Sequence, residues 1–110
     1  MNNNYEINAK IFKVLSDPNR LKIIDMLSCG ERCACDILVD FDFTQPTLSH
    51  HMKVLMDSGL VNCRKDGLWS YYSLDNTKAN KLVLSLMNVF TDTEDCICRN
   101  SKDKCDCNSK

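Results

Sequence analysis

The segment Cys29-Gly30-Glu31-Arg32-Cys33-Ala34-Cys35-Asp36 holds three of the chain's eight cysteines within seven residues. Thiolates bind soft metal and metalloid ions, and the same groups oxidise to disulfides. Cys33 and Cys35 are the core of a candidate ion site, with Cys29 the nearest further sulfur. Cys63 stands apart, and two more Cys-x-Cys pairs, Cys96/Cys98 and Cys105/Cys107, lie near the end of the sequence. In a reducing compartment clustered cysteines signal metal or redox chemistry more often than structural disulfides. The even count leaves a disulfide-rich secreted domain as the bland alternative, and the helical spacing of the apolar residues argues against it.

The spacing of the pair predicts a switch. Residues i and i+2 of a helix point about 200° apart around the axis, whereas in extended backbone they point the same way. If a helix starts at Cys33, one ion cannot collect both sulfurs, and binding would unwind the first turn. A ligand with different affinity for two conformations is what a switch needs. A helix N-terminus would also lower the thiol pKa and ready the pair for an ion.

The elements that must position this pair follow from periodicity. Ile7, Ile11, Phe12 and Leu15 recur at helical spacing, so a first helix is expected over about 6–15. Asp17-Pro18 is a capping acid followed by proline at the first helical position. The second helix then buries Leu21, Ile23, Ile24, Met26 and Leu27 and stops at Gly30. A short third helix is expected from about Cys33 to Val39, and Phe41-Asp42-Phe43 makes a turn. The fourth helix opens at Thr44-Gln45-Pro46 and ends before Gly59.

One face of the fourth helix carries Leu48, Met52 and Leu55; another carries Gln45, Ser49 and Lys53, flanked by Thr47 and His50. Amide, hydroxyl, imidazole and ammonium groups read base edges and phosphates in a major groove. Such a face could also be plainly solvated. The following segment favours DNA. Leu60 to Lys65, Asp66-Gly67 and Leu68 to Leu74 read as strand, two-residue turn and strand. Pairing across Asp66-Gly67 sets Arg64 opposite Trp69 and Asn62 opposite Tyr71, with Arg64 and Lys65 at a basic tip. A helix-turn-helix followed by a hairpin is the winged-helix plan: a mainly α fold with one β-hairpin. His50 and His51 point about 100° apart on a helix and do not suit one shared metal. His50 is assigned to the DNA side and His51 to packing.

Residues 1–92 read as one DNA-binding and dimerisation domain. The last helix, from Asn76, carries Leu82, Val83, Leu86, Met87, Val89 and Phe90, a stripe broad enough to pair with the first helix and a second copy in a symmetric dimer. Residues 93–110 read as a cysteine-rich flexible tail. The net charge of −1 is not the basic footprint of a typical nucleic-acid binder, so binding would rest on a local basic patch. Met1 to Tyr5 lacks signal-peptide character, and Leu82 to Phe90 is too short to span a bilayer. A cytoplasmic location with no membrane partner is expected. The residues that would make an enzyme, such as a general base beside the cysteines or a phosphate loop, do not stand out.

With these pieces in place, the sequence resembles the ArsR/SmtB family of bacterial metal-sensing repressors over about residues 7–90. The resemblance rests on Glu31 to Ile37, Thr44 to Lys53, Ser58 to Val61 and Arg64 to Trp69. It is greatest to the arsenic-responsive branch. The resemblance implies an apo dimer that holds operator DNA, with no cofactor required, and is released when arsenite or antimonite, As(III) or Sb(III), binds cysteine thiolates. It thereby implies control of arsenical resistance genes. That branch often has a third cysteine five residues after the first of the pair; here the position is Leu38. The third thiolate is then Cys29, Cys63 or one of Cys96, Cys98, Cys105 and Cys107. Zinc sensors of the family use histidine and acidic ligands on the last helix, and residues 75–95 hold no histidine. Cadmium sensors add cysteines near the N-terminus, and residues 1–28 hold none. Four tail thiolates would nonetheless suit either metal. Moving a repressor from mostly bound to mostly free takes about 5.5 kcal/mol of differential binding, within reach of three sulfur bonds. The alternatives are a cytosolic thiol buffer or metal carrier, a redox-sensing repressor, and a cadmium- or zinc-responsive repressor.

Overall fold

The computed structural model describes residues 5–91. The expected tail, with Cys96, Cys98, Cys105 and Cys107, and the boundary after residue 92 lie outside the described residues.

Five helices and a small sheet follow one another as α1 (Tyr5–Leu15), α2 (Pro18–Leu27), β1 (Arg32–Cys33), α3 (Ala34–Leu38), α4 (Gln45–Asp57), β2 (Val61–Asp66), β3 (Trp69–Leu74) and α5 (Asn76–Phe90). Local chemistry sets most boundaries. Asp17 caps α2 by accepting hydrogen bonds from the Asn19 and Arg20 amides. Asp75 caps α5 through the Lys78 amide. Thr44 occupies the N-cap of α4 without capping it through its side chain; its hydroxyl lies 3.4 Å from that of Thr47. After α4 the chain reverses through Gly59 at φ +88°, a left-handed conformation that favours glycine.

The helix-turn-helix is α3, the turn with Phe41 stacked on Phe43 (4.6 Å between ring centres), and α4. Its inner face merges with the core of Ile23, Leu27, Ile37, Leu48, Met52, Leu55, Leu60, Val61, Tyr72 and Leu82. Ile23, Ile37, Met52 and Leu55 are wholly buried, each contributing about 1.5–3 kcal/mol of transfer free energy. These contacts fix α4 to α2, α3 and the sheet. By contrast α5 buries only Leu82 and leaves Val83, Leu84, Met87, Val89 and Phe90 exposed, as α1 leaves Tyr5 and Ile7. Among the described residues no helix is long and apolar enough to cross a membrane.

The sheet corrects the sequence reading twice. First, β3 is its central strand, because Arg32 and Cys33 pair antiparallel with Tyr72 and Tyr71. The third helix therefore begins at Ala34, and Cys33 is its extended N-cap (φ −71°, ψ 147°). Second, Asp66 pairs with Trp69 and Arg64 with Tyr71, so the loop residues are Gly67 and Leu68, one position later than Asp66-Gly67. Of these two loop residues only Gly67 has positive φ (+63°), the requirement of a hairpin turn with glycine at its first central position. In this register Val61, Cys63 and Tyr72 share one side of the sheet and Arg64 and Tyr71 the other.

Candidate inducer site and DNA-reading face

Because Cys33 is extended and Cys35 lies in the first turn of α3, the two sulfurs converge to 3.0 Å. That is too long for a disulfide, about 2.05 Å. Metal–sulfur bonds of about 2.3 Å meeting at roughly 90–110° would hold the sulfurs about 3.3–3.8 Å apart. A shift of well under 1 Å thus separates the resting pair from a chelating one, as these values imply. No unwinding of a helical turn is needed, and the expectation of opposed sulfurs is corrected by the pairing of Cys33 with Tyr71. The expected depression of thiol pKa is also reversed at Cys35. Its thiol is pushed above the ordinary cysteine value, first by the hydrogen bond with Cys33, then by burial and by the negative charge of Cys33 and Asp36.

Cys33 is buried, whereas Cys35 and Cys29 are exposed. Among the described residues no three Cys, His, Asp or Glu side chains form a group able to hold a metal ion. Cys29 lies in the turn after α2, its amide bonded to the Met26 carbonyl. Cys63 pairs with Tyr72 on the far edge strand, two strands from β1, and the register puts it on the opposite face of the sheet from Cys33.

A cleft of about 220 Å³ opens beside the thiol pair, and its walls come from α3, α4 and the wing. Gln45 and Leu48 of α4, Leu38 of α3, and Leu68, Trp69 and Ser70 of the hairpin line it with Cys33 and Cys35. Glu31, two residues before Cys33, holds Arg64 of the wing through two hydrogen bonds of 2.9 and 3.2 Å. Arg64 also lies 4.6 Å over the Tyr71 ring. The bond to Arg64 keeps the Glu31 carboxylate below its usual pKa. The cysteine segment is thus tied to the wing by a backbone ladder and an ion pair, and it shares a cleft with the start of α4. Sequence reasoning assigned Arg64 to the basic tip and missed this clamp. Its partners are 33 residues apart, and no local pattern links them.

On α4, Gln45, Thr47, Ser49, His50 and Lys53 are all exposed, while Leu48, His51, Met52 and Leu55 are buried. Lys53 makes an exposed pair with Asp57 at 3.4 Å, a weak contact that leaves the ammonium free to meet a phosphate. Lys65 is exposed on the wing. His51 packs behind the helix, 7% exposed, with Nδ1 3.3 Å from Arg20 Nη1. Arginine can only donate, so Nδ1 accepts and the neutral ring carries its proton on Nε2. Burial holds this imidazole below its ordinary pKa, Arg20 and His50 add to the effect, and Asp17 opposes it.

A helix-turn-helix with an exposed polar α4 and a hairpin wing defines the winged helix-turn-helix class of DNA-binding regulators. The family model for bacterial regulatory proteins of the arsR family matches residues 17–62. An arsenical resistance operon repressor from Staphylococcus aureus is 48% identical over 98 residues, 89% of this chain and 94% of that protein. A cadmium resistance transcriptional regulatory protein homologue, also from Staphylococcus aureus, is 43% identical over 76 residues, 68% of this chain and 63% of that protein. Among solved structures, the homodimeric winged helix-turn-helix DNA-binding domain of a Mycobacterium bovis protein superposes with a TM-score of 0.64 at 28% identity, covering 76% of this chain and 79% of that one. The chain belongs to the arsR family of bacterial regulatory proteins.

Proposed function

We propose that this protein is a dimeric repressor of arsenical resistance genes that holds operator DNA in its apo form and lets go when As(III) or Sb(III) binds Cys33 and Cys35. The observation that carries the reading is the 3.0 Å approach of the two sulfurs in a cleft shared with Gln45 and the wing. The DNA contacts are Gln45, Thr47, Ser49, His50 and Lys53 from α4, with Lys65 and Arg64 on the wing. The exposed apolar residues of α1 and α5 form the dimer contact, which sets the spacing of two recognition helices on a two-fold operator.

Release follows from how the site is built. Seating both sulfurs on one ion spreads them from 3.0 Å to about 3.3–3.8 Å, pressing Cys33 against β3 and Cys35 against α3. The strain reaches α4 through the shared cleft and reaches the wing through the Tyr71 ladder and the Glu31–Arg64 clamp. Both DNA-reading elements shift relative to the core, and the two half-site contacts lose their common register. An inorganic metalloid ion takes a third sulfur, supplied by Cys29 or by a tail cysteine. The thiol buffer fails to account for the exposed polar face of α4 and the wing. A cadmium-responsive repressor is the second reading, supported by the 43% identical relative.

The test is a gel shift on the protein's own upstream promoter with arsenite, antimonite, cadmium and zinc. Arsenite and antimonite should release the DNA at the lowest concentrations. Ser49→Ala and Lys53→Ala should weaken operator binding and leave metalloid affinity unchanged. Release by cadmium alone would replace the arsenic reading with the second one.

A further inference from the structure

We infer that Leu68, at the turn of the wing, is a specificity-determining residue that enters the DNA minor groove beside each half-site as an apolar wedge and selects a deformable pyrimidine–purine step there. The inference rests on the reading of α4 and the wing as the operator-binding surface. It adds a sequence preference at base pairs that the recognition helix does not reach.

Exposure makes the first half of the case. Gly67 turns the hairpin at a left-handed φ of +63°, and the next residue, Leu68, is fully exposed, its side chain covered by nothing in the fold. Burying a leucine side chain is worth a factor of about ten or more in an equilibrium constant. A leucine held bare at a hairpin tip forgoes that gain until a partner covers it. Charge offers the tip less. Arg64 is engaged by Glu31 through bonds of 2.9 and 3.2 Å, and the exposed Lys65 is followed by the exposed Asp66, whose carboxylate offsets it.

Position makes the second half. Leu68 and Trp69 of the hairpin line one cleft together with Gln45, the first residue of α4. The hairpin turn therefore stands beside the first turn of the recognition helix, the part that meets base edges when such a helix lies in the major groove. The tip is thus continuous with the DNA-reading face, and from there it reaches past the adjoining phosphates to the minor groove, about 6 Å wide. Leucine is among the side chains that wedge between base steps from the minor-groove side, partly unstacking them and kinking the duplex. Pyrimidine–purine steps yield to this most readily, so Leu68 reads deformability rather than hydrogen-bonding groups.

The experiment uses the full chain and fluorescently labelled duplexes of its own upstream promoter. Hydroxyl-radical footprinting locates the base steps that each wing protects, and a second duplex carries a purine–purine step in place of the pyrimidine–purine step found there. The wild type should bind this second duplex about fivefold more weakly, the low end of what one altered base pair costs. Leu68→Ala should bind the promoter about tenfold more weakly, bind both duplexes equally, and bend the DNA less in a circular-permutation gel. Its thermal midpoint should match the wild type, because nothing in the fold covers Leu68. Lys65→Ala is the electrostatic control. It should weaken binding to both duplexes alike and lower the slope of log affinity against log salt by about one per wing, whereas Leu68→Ala should leave that slope unchanged. Unchanged promoter affinity in Leu68→Ala, a fivefold ratio that persists in it, unchanged bending, or a wing footprint with no pyrimidine–purine step would overturn the inference. The proposed function would still stand if Ser49→Ala and Lys53→Ala weakened operator binding. Failure of the wild type to bind the promoter at all would overturn both.

Discussion

Arg20→Met is the substitution that most sharply tests how α4 is held. Arg20 crosslinks three helices: its Nε donates to the Val14 carbonyl at 2.7 Å, its Nη1 donates to His51 Nδ1 at 3.3 Å, and Nη1 lies 3.8 Å from Asp17. The side chain is only 16% exposed, so these bonds are largely shielded from water. Methionine keeps the aliphatic stem and removes the donors. A hydrogen bond from a charged group is worth about 1.5–3 kcal/mol, and the longer bond to His51 adds less, so the loss at pH 7.5 should be about 2–3 kcal/mol.

The same substitution predicts a pH signature. His51 has a folded pKa below its unfolded value near 6.5, so the unfolded chain binds more protons between the two. The stability from the neutral ring is full above about pH 6.5 and is lost as the pH falls through the lower folded value. Burial is the main cause, but the Arg20 charge contributes, and removing it relieves part of the depression. Arg20→Met should therefore lose less stability than the wild type between pH 7.5 and 5.5, and the gap between them should narrow. Urea unfolding at both pH values measures this directly. A loss below about 0.5 kcal/mol at pH 7.5, or a gap that widens on acidification, would refute the reasoning.

Two further outcomes follow from the geometry. Gly59→Ala should cost about 1–3 kcal/mol in thermal or urea unfolding, because φ is +88° and the new Cβ would lie 3.0 Å from the Lys78 side chain. Glu31→Gln should leave metalloid affinity near the wild-type value in a direct binding titration and raise the arsenite concentration needed for DNA release, because the wing is no longer clamped to the cysteine segment.

The readable parts of this molecule were those set by neighbours in sequence. Asp17-Pro18, Gly59 and the Leu48/Met52/Leu55 stripe each declare a boundary or a buried face through local chemistry, and α2 and α4 lie where those signals put them. The exposed face of α4 follows from the same periodicity. What escaped depends on distant partners. A two-residue strand has no pattern of its own, so β1 exists only because Tyr71 and Tyr72 are there to pair with it. That pairing, invisible in the Cys-Ala-Cys motif, turns Cys33 extended and brings its sulfur to Cys35. The turn was misplaced by one residue because Asp-Gly suits one hairpin loop and glycine in the first position suits another; the pairing of Asp66 with Trp69 selects the second.

The central claim is that Cys33 and Cys35 convert ion binding into DNA release, and Cys33→Ser tests it most directly. Serine keeps the backbone ladder and nearly the same shape, so operator affinity in a fluorescence titration should stay within about threefold of wild type, a change under 1 kcal/mol. Arsenite at concentrations that fully release the wild-type protein should leave this variant on its DNA. Release of Cys33→Ser at the wild-type arsenite midpoint would contradict the account.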